Sequence, residues 1–387
     1  MFGTMLLAIT AALGQAASDE EVSVQQSPAI SPLSAIERTD DDREGRRIAA
    51  EIAVIYWQHE RLAEVLLEAQ AEFRFISDIV EMVTAGDPPS PALLAYTEAL
   101  EAQVRANVRE VGARYDLEDL LERAPRAGNI LVRYIRYGAD LETSERLLDL
   151  MTPTAGPGGL HPLMLESLQR ERAARALANP DANTLPNTDS PRSGEDPQVD
   201  AFIARYEGWI DVVRLLGRLE GRDQFTRTLI LGQIAHPLPD SVRAALIDAN
   251  DPLISAIDSE NAAAALSLVD RFGFDAINEA APGAAGLIAS IVQHSTPEDQ
   301  RRLLRELEPL ALSGQFSGQR YALMFDRVAV SGGQPQRYGT QSHCVAGRYA
   351  LYPIEDEAGV DTRREQMGLG SLEAYRDELI GSYGETC

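Results

Sequence analysis

Residues 48–83 read IAAEIAVIYWQHERLAEVLLEAQAEFRFISDIVEMV, and side chains recur along this stretch at alternating spacings of four and three residues. That spacing places them on one face of a single long helix. Such a face has to be covered by another helix, so the stretch predicts a mainly α protein. The positions of the stripe are Ile48, Ile52, Ile55, His59, Leu62, Leu66, Ala69, Phe73, Ile76, Val80 and Val83.

A proline-rich break at residues 87–91 ends this pattern, and a second periodic stretch follows as far as Tyr115. The two stretches together predict an antiparallel helical hairpin. Further helices are expected after residue 199, and a small antiparallel β meander is expected near the end of the chain. Its strands are predicted at 327–330, 335–340 and 347–352, with a Gly-Gly turn within residues 331–334.

The chain divides by composition into five parts. An apolar run with small residues at Gly14 and Ala16 predicts a signal peptide at 1–16, and 17–45 is expected to be a disordered lead segment. Residues 46–176 are predicted to form the helical domain, and 177–198, rich in proline and poor in apolar residues, a linker. The α-rich domain with the meander is then 199–387. The protein is expected to be periplasmic or secreted.

The charge of the chain narrows the choice of partners. It carries 35 basic and 60 acidic residues in 387, a formal net charge of −25. A phosphate backbone would be repelled, so no nucleic-acid partner is expected. Every basic side chain is an arginine, which excludes Schiff-base lysines and phosphate-loop lysines. No segment after residue 16 is apolar for long enough to span a membrane, so no stable span is expected after signal cleavage.

The two cysteines are Cys344 and Cys387. Export to an oxidising compartment would favour a disulfide between them, closing a loop of about forty residues that contributes about 3–4 kcal/mol in the chain-entropy model. Two unpaired thiols are the alternative. His343 adjoins Cys344, but no other His or Cys lies at metal-ligand spacing, so neither a metal nor a cofactor is predicted.

The second half of the chain contains several short motifs, and through them residues 199–387 resemble a family of uncharacterised bacterial domains. The resemblance implies a fold and no assigned reaction, and it leaves the N-terminal helical half uncovered. The residues that carry it are Asp223, Gln224 and Arg227; Gln293 and His294; Ala322, Asp326 and Arg327; Gln336, Tyr338, Gly339, Thr340 and Gln341; and the segments 353–356, 360–364 and 368–375.

Gln224 and Arg227 are candidate ligand-binding residues. Asp223 and Arg227 are four residues apart and share a helix face, where an ion pair would contribute about 0.3–0.5 kcal/mol. The functional alternative directs Gln224 and Arg227 into a cleft that holds a carboxylate or an amide.

His294 and Asp326 are candidate catalytic residues. His294 ends a helix, where the unpaired carbonyls favour an imidazolium, and Asp326 would orient it as a general base. Tyr338 and Gln341, in a polar strand, would line a ligand pocket beside them. The rival interpretation is an internal hydrogen-bond network, since buried amides need partners.

Two functions from different classes remain open. The first is an exported binding or interaction module of the cell envelope. Its partner would be an unknown envelope protein, bound by the long helices, or a small polar ligand. The second is a hydrolase or transferase that uses His294 and Asp326 as an acid–base pair, with Tyr338 and Gln341 as orienting groups.

Overall fold

The computed structural model describes residues 39–156, 159–178, 194, 196–235 and 237–383, without the side chains of 171–178 and 378–383. The predicted signal peptide, most of the lead segment and most of the linker lie outside the described residues. The chain divides into two compact units, and their described parts are 39–295 and 296–383.

The described residues of the first unit form helices without strands. In chain order the helices are α1 (Asp40–Thr84), α2 (Pro91–Gly112), α3 (Leu117–Arg123), α4 (Gly128–Tyr137), α5 (Leu141–Met151), α6 (Pro162–Ala178), α7 (Pro197–Ile234), α8 (Asp240–Phe272), α9 (Phe274–Ala280) and α10 (Pro282–Val292). Short 3₁₀ turns occupy Pro125–Ala127 and Thr152–Thr154.

Helix α1 is the centre of the first unit, which confirms the mainly α prediction. Its predicted stripe is largely buried, with Leu66 fully inaccessible and Ile52 2% exposed. The cover comes mainly from α7 and α8, with smaller contributions from α2 and α4. The predicted two-helix hairpin is therefore part of a larger bundle, because α1, with 45 residues, needs a long partner, and α7 has 38 residues.

Close approach of α1 and α7 depends on two glycines. A Cβ added at Gly217 would lie 2.7 Å from the Cα of Glu68, and one at Gly221 would lie 2.7 Å from the carbonyl oxygen of Ala63. Both contacts are to backbone, so a side chain at either position would push the helices apart. Glycine at 217 and 221 lets the two backbones touch.

Charged residues also join α1 to α7. Glu72 is 3% exposed and accepts two hydrogen bonds of 2.8 Å from Arg214 and one from the hydroxyl of Tyr206. Further along the pair of helices, Arg222 donates to Glu60 at 2.8 Å. Each buried carboxylate thus has a guanidinium partner, which offsets the cost of removing it from water.

The structure differs from two of the predicted boundaries. Helix α1 begins at Asp40, inside the predicted lead segment of 17–45, because Thr39 accepts a hydrogen bond from the Asp42 N–H and caps the helix. The two units divide after Ser295, whereas the predicted domain boundary was 177–198. Helix α7 follows that segment but packs along α1, and this contact keeps both sides in one unit.

The second unit contains four helices and one small sheet in its described residues. The elements are α11 (Pro297–Leu312), α12 (Gly318–Ser331), β1 (Ser342–Val345), β2 (Arg348–Leu351), α13 (Val360–Gln366) and α14 (Leu372–Tyr383). The two strands are antiparallel, with Ser342 opposite Leu351 and Val345 opposite Arg348. A single parallel bridge links Gln336 to Ile354.

The predicted three-stranded meander is corrected to this hairpin. Residues 327–330 belong to α12, which is capped by the Ser317 side chain and buries Tyr321 and Val328. The glycines at 332 and 333 end the helix instead of turning a hairpin, since the Gly332 N–H bonds to Val328 O and Gly333 has φ of 68°. A glycine pair can do either, and the burial of Tyr321 and Val328 on the preceding helix decides between the two.

No helix among the described residues is long and apolar enough to cross a membrane.

Candidate functional site

Asp326 on α12 is wholly buried and holds the segment 334–341, which is called the anchored loop below. Its Oδ1 atom accepts the N–H groups of Arg337 at 2.7 Å and Tyr338 at 3.0 Å. Its Oδ2 atom accepts both the N–H and the hydroxyl of Thr340 at 2.9 Å. Burial raises the pKa of the Asp326 carboxyl, and these N–H donors oppose the rise. Both oxygens are therefore occupied by the loop.

Arg364 on α13 holds the carbonyl side of the same loop. It is 2% exposed and donates to Tyr338 O at 2.7 Å and to Gly370 O at 2.6 Å. The Tyr375 hydroxyl donates to Thr340 O at 2.7 Å. The buried carboxylate of Asp326 thus accepts hydrogen bonds from N–H groups of the loop, and the buried guanidinium of Arg364 donates to its C=O groups. The backbone of the loop is held by two buried charges of opposite sign.

Gln336 completes the network at the start of the loop. It is fully buried, and its Nε2 atom donates to Tyr352 O at 2.8 Å and to Gln341 O at 3.1 Å. Its Oε1 atom accepts the Gln341 N–H at 2.8 Å. One side chain therefore ties the two ends of the loop to the residue after β2. These contacts match the internal network that was the rival to a ligand pocket.

Gly339 lies in the anchored loop, where a glycine could allow a ligand or another backbone to approach closely. It has φ of 70°, and a Cβ there would lie 2.7 Å from Leu372 Cδ1 and 3.1 Å from Ile354 Cδ1. Side chains of this unit already fill the space, so the glycine serves packing.

Three half-buried side chains beside the loop form what we call the hairpin patch: Gln341, His343 and Tyr352. The His343 and Tyr352 rings lie 4.1 Å apart between centroids. The Gln341 Nε2 atom donates to Thr340 Oγ1 at 3.1 Å. The His343 Nδ1 atom is buried and has no hydrogen-bond partner among the described residues. The patch combines amide, imidazole and phenol groups on a rigid support.

Gln224 and Arg227 lie in the first unit, in a cluster with two carboxylates. Arg227 donates from Nε to Asp223 at 2.9 Å and from Nη2 to Asp258 at 2.6 Å. Gln224 donates to Asp223 at 2.9 Å. The predicted ion pair on one helix face is thus present, together with a third partner on α8. Asp258 was missed because nothing in its local spacing shows that α8 lies against α7.

The pKa of Asp258 is raised to about 7, mainly because the carboxyl is buried; Arg227 opposes the rise and the nearby Asp223 carboxylate adds to it. The hydrogen bonds place both carboxylates on one guanidinium.

The other predicted site residues are distributed between the units. Asp326, Tyr338 and Gln341 lie together in the second unit, and the side chain of Tyr338, which belongs to the anchored loop, is buried. His294 follows α10 at the end of the first unit, so its pairing with Asp326 stays a prediction. The sequence indicated Arg364 only as part of the motif at 360–364. Its hydrogen bonds go to carbonyl groups of a loop that precedes it by some twenty-five residues.

The structure describes only part of the chain that the metal and disulfide predictions concern. No group of three or more His, Cys, Asp or Glu side chains there fits a metal ion. Cys344 lies in β1 opposite Tyr349, while Cys387 is outside the described residues. The disulfide between them stays a prediction.

The fold and these contacts define a mainly α protein of two compact units, in which a loop of the second is held between two buried charges. The profile of a family of unknown function (DUF6624) matches residues 251–386, a narrower range than the predicted 199–387. No curated protein and no solved structure matches the chain. The similarity agrees with an uncharacterised domain and assigns no activity.

Proposed function

We propose that this chain is an exported binding module of the cell envelope that takes a small polar ligand at the hairpin patch. The observation that carries the proposal is the saturation of Asp326, whose two oxygens already accept five hydrogen bonds from the anchored loop. A network of this kind makes a rigid support, and a rigid support reduces the ordering cost of binding.

The acid–base alternative is less well supported by the same contacts. A carboxylate that orients a histidine has to accept a hydrogen bond from the ring. Asp326 is fully buried and accepts hydrogen bonds from three residues of its own unit. A sixth donor would have to displace one of these bonds.

The chemistry of the hairpin patch selects the class of ligand. Tyr352 and His343 offer two adjacent rings, tilted by 33° to each other, which suit a flat or weakly polar face of a ligand. Gln341 uses its amide nitrogen within the protein, so its carbonyl oxygen suits a ligand that donates. Small amides, amino acids and sugars combine these features, and they fit the polar ligand expected from the sequence.

The long helices are no longer the preferred partner surface. The apolar stripe of α1 is covered by α7 and α8 within the first unit, so it is not available to another protein. The hairpin patch takes its place in the proposal.

A ligand screen tests the proposal. We expect at least one member of a panel of amides, amino acids and sugars to raise the melting temperature of the full chain by about 2 °C or more, because a ligand that binds only the folded state stabilises it. Gln341→Ala should abolish the shift. Gln334→Ala, at an exposed position of the same loop, is the matched control and should retain it. A shift that persists in Gln341→Ala, or a panel without any shift, would rule out the patch.

Export is tested separately by the mass of the protein recovered from an expressing bacterium. We expect it in the periplasmic or extracellular fraction, beginning after Ala16, with a mass about 2 Da below that of its reduced form because Cys344 and Cys387 are joined. Cys344→Ser should lose the difference in mass. Recovery with the N-terminus intact in the cytoplasm would contradict export.

A further inference from the structure

Asp223, Arg227 and Asp258 form a charged cluster inside the helical bundle of the first unit. The side chains of the three residues are 4%, 13% and 14% exposed, respectively. Asp223 and Arg227 are on α7 and Asp258 is on α8, so the guanidinium joins the two helices. With both carboxylates ionised, the cluster carries one uncompensated negative charge in a poorly hydrated interface, which is costly.

We propose that this cluster of two carboxylates on one guanidinium is a proton-linked clamp, which takes up one proton and holds α7 against α8 more firmly as the pH falls. A proton placed on Asp258 cancels the excess charge while Arg227 stays bonded to both carboxyl groups. The protonated carboxyl also gains a donor, and the neighbouring Asp223 oxygen accepts it. The inference is independent of the hairpin patch and of its ligand.

The surroundings of Asp258 contain few other charges. Asp223 and Arg227 are the charged groups that act on it. On the α1 side, Glu60 is bonded to Arg222, which also reaches Glu260. Helix α10 packs against both α7 and α8 and has no charged residue.

Helix α9 also contacts α8, and its acidic residues, Asp275 and Glu279, are exposed. The affinity of Asp258 for a proton therefore depends mainly on its burial and on the charges of Arg227 and Asp223.

The sign of the effect follows from linkage. The folded state binds a proton on Asp258 more tightly than the unfolded chain does, because burial raises its pKa to about 7. The contribution to stability is fully present below the pKa of the unfolded chain, about 4, and is lost as the pH rises through about 7. The folded state is thus expected to weaken on the alkaline side of neutrality.

Thermal unfolding of the full chain at about pH 6 and about pH 8.5 tests the clamp. The wild type is expected to melt about 3–5 °C lower at the higher pH. Asp258→Asn should lose this difference, because an amide can accept from Arg227 and donate to Asp223 without titrating. Asp248→Asn, at an exposed position of the same helix, is the control and should behave as the wild type. An equal difference in Asp258→Asn, or none in the wild type, would overturn the proposal.

A second measurement does not depend on any variant. Carboxyl carbon chemical shifts of the wild type, followed by NMR through a pH titration, should show one aspartate that titrates at about 7, far above the usual value near 4. If every aspartate titrates below about 5, the clamp does not exist.

Discussion

Asp326→Asn is expected to lower the free energy of unfolding by about 3–5 kcal/mol, the range found when one partner of a buried charge pair is removed. The asparagine keeps one acceptor oxygen but turns an NH₂ group toward N–H donors of the anchored loop. At least one N–H, that of Thr340 or of Arg337, then loses its acceptor in a buried site. Arg364 also loses the buried negative charge on the other side of the loop.

Urea unfolding followed by circular dichroism measures this loss. Asp377→Asn is the matched control, because Asp377 is exposed in the same unit and should change stability by less than about 0.5 kcal/mol. A loss below about 1 kcal/mol for Asp326→Asn would show that the loop does not depend on the carboxylate. It would also remove the main argument against a catalytic role for Asp326.

The double variant Gly217→Ala/Gly221→Ala is expected to lose about 2–3 kcal/mol of stability. Each new Cβ would lie 2.7 Å from a backbone atom of α1, so the helices must separate, and overpacking of this kind costs about 1–3 kcal/mol. The separation would also disturb the contacts between Glu72 and Arg214. The higher helix propensity of alanine offsets only part of the loss.

Gly208→Ala supplies a control with the opposite sign. Gly208 is on the same helix, and a Cβ there would meet nothing within 4 Å. The same substitution should therefore stabilise the protein by about 0.5–1 kcal/mol through helix propensity alone. Thermal unfolding of the wild type, the double variant and Gly208→Ala gives the comparison. If Gly208→Ala and the double variant change stability in the same direction, the close contact between α1 and α7 is not what sets the position of the helices.

The position of His59 shows how far the sequence alone can reach. His59 is the polar residue in the apolar stripe, and its Nδ1 atom donates to Ile55 O at 3.0 Å within the same helix. That bond joins residues four apart, so periodicity contains the information needed to predict it. The ion pair of Asp223 and Arg227 was foreseen for the same reason.

The hairpin predicted from the Gly-Gly pair shows the opposite case. Local composition allowed a turn between strands, whereas the structure ends α12 there and begins the hairpin later, at Ser342–Val345. The third predicted strand, 347–352, does contain a strand, Arg348–Leu351. The choice depends on Tyr321 and Val328 finding a buried environment, which no window of sequence describes. For the candidate site, the motifs included Asp326, Gln336 and Arg364 but could not show that Asp326 and Gln336 hold the anchored loop or that Arg364 donates to its carbonyl groups.

The sequence by itself determined the mainly α class and the buried face of α1, because these follow from side chains three and four residues apart on one helix. Only the tertiary structure decided that α7 and α8 cover that face, that Asp258 joins Asp223 at one guanidinium, and that Asp326 and Arg364 hold one loop between them. The physical reason is distance along the chain: those partners meet through packing of whole helices, and packing depends on shape and burial that no local spacing records.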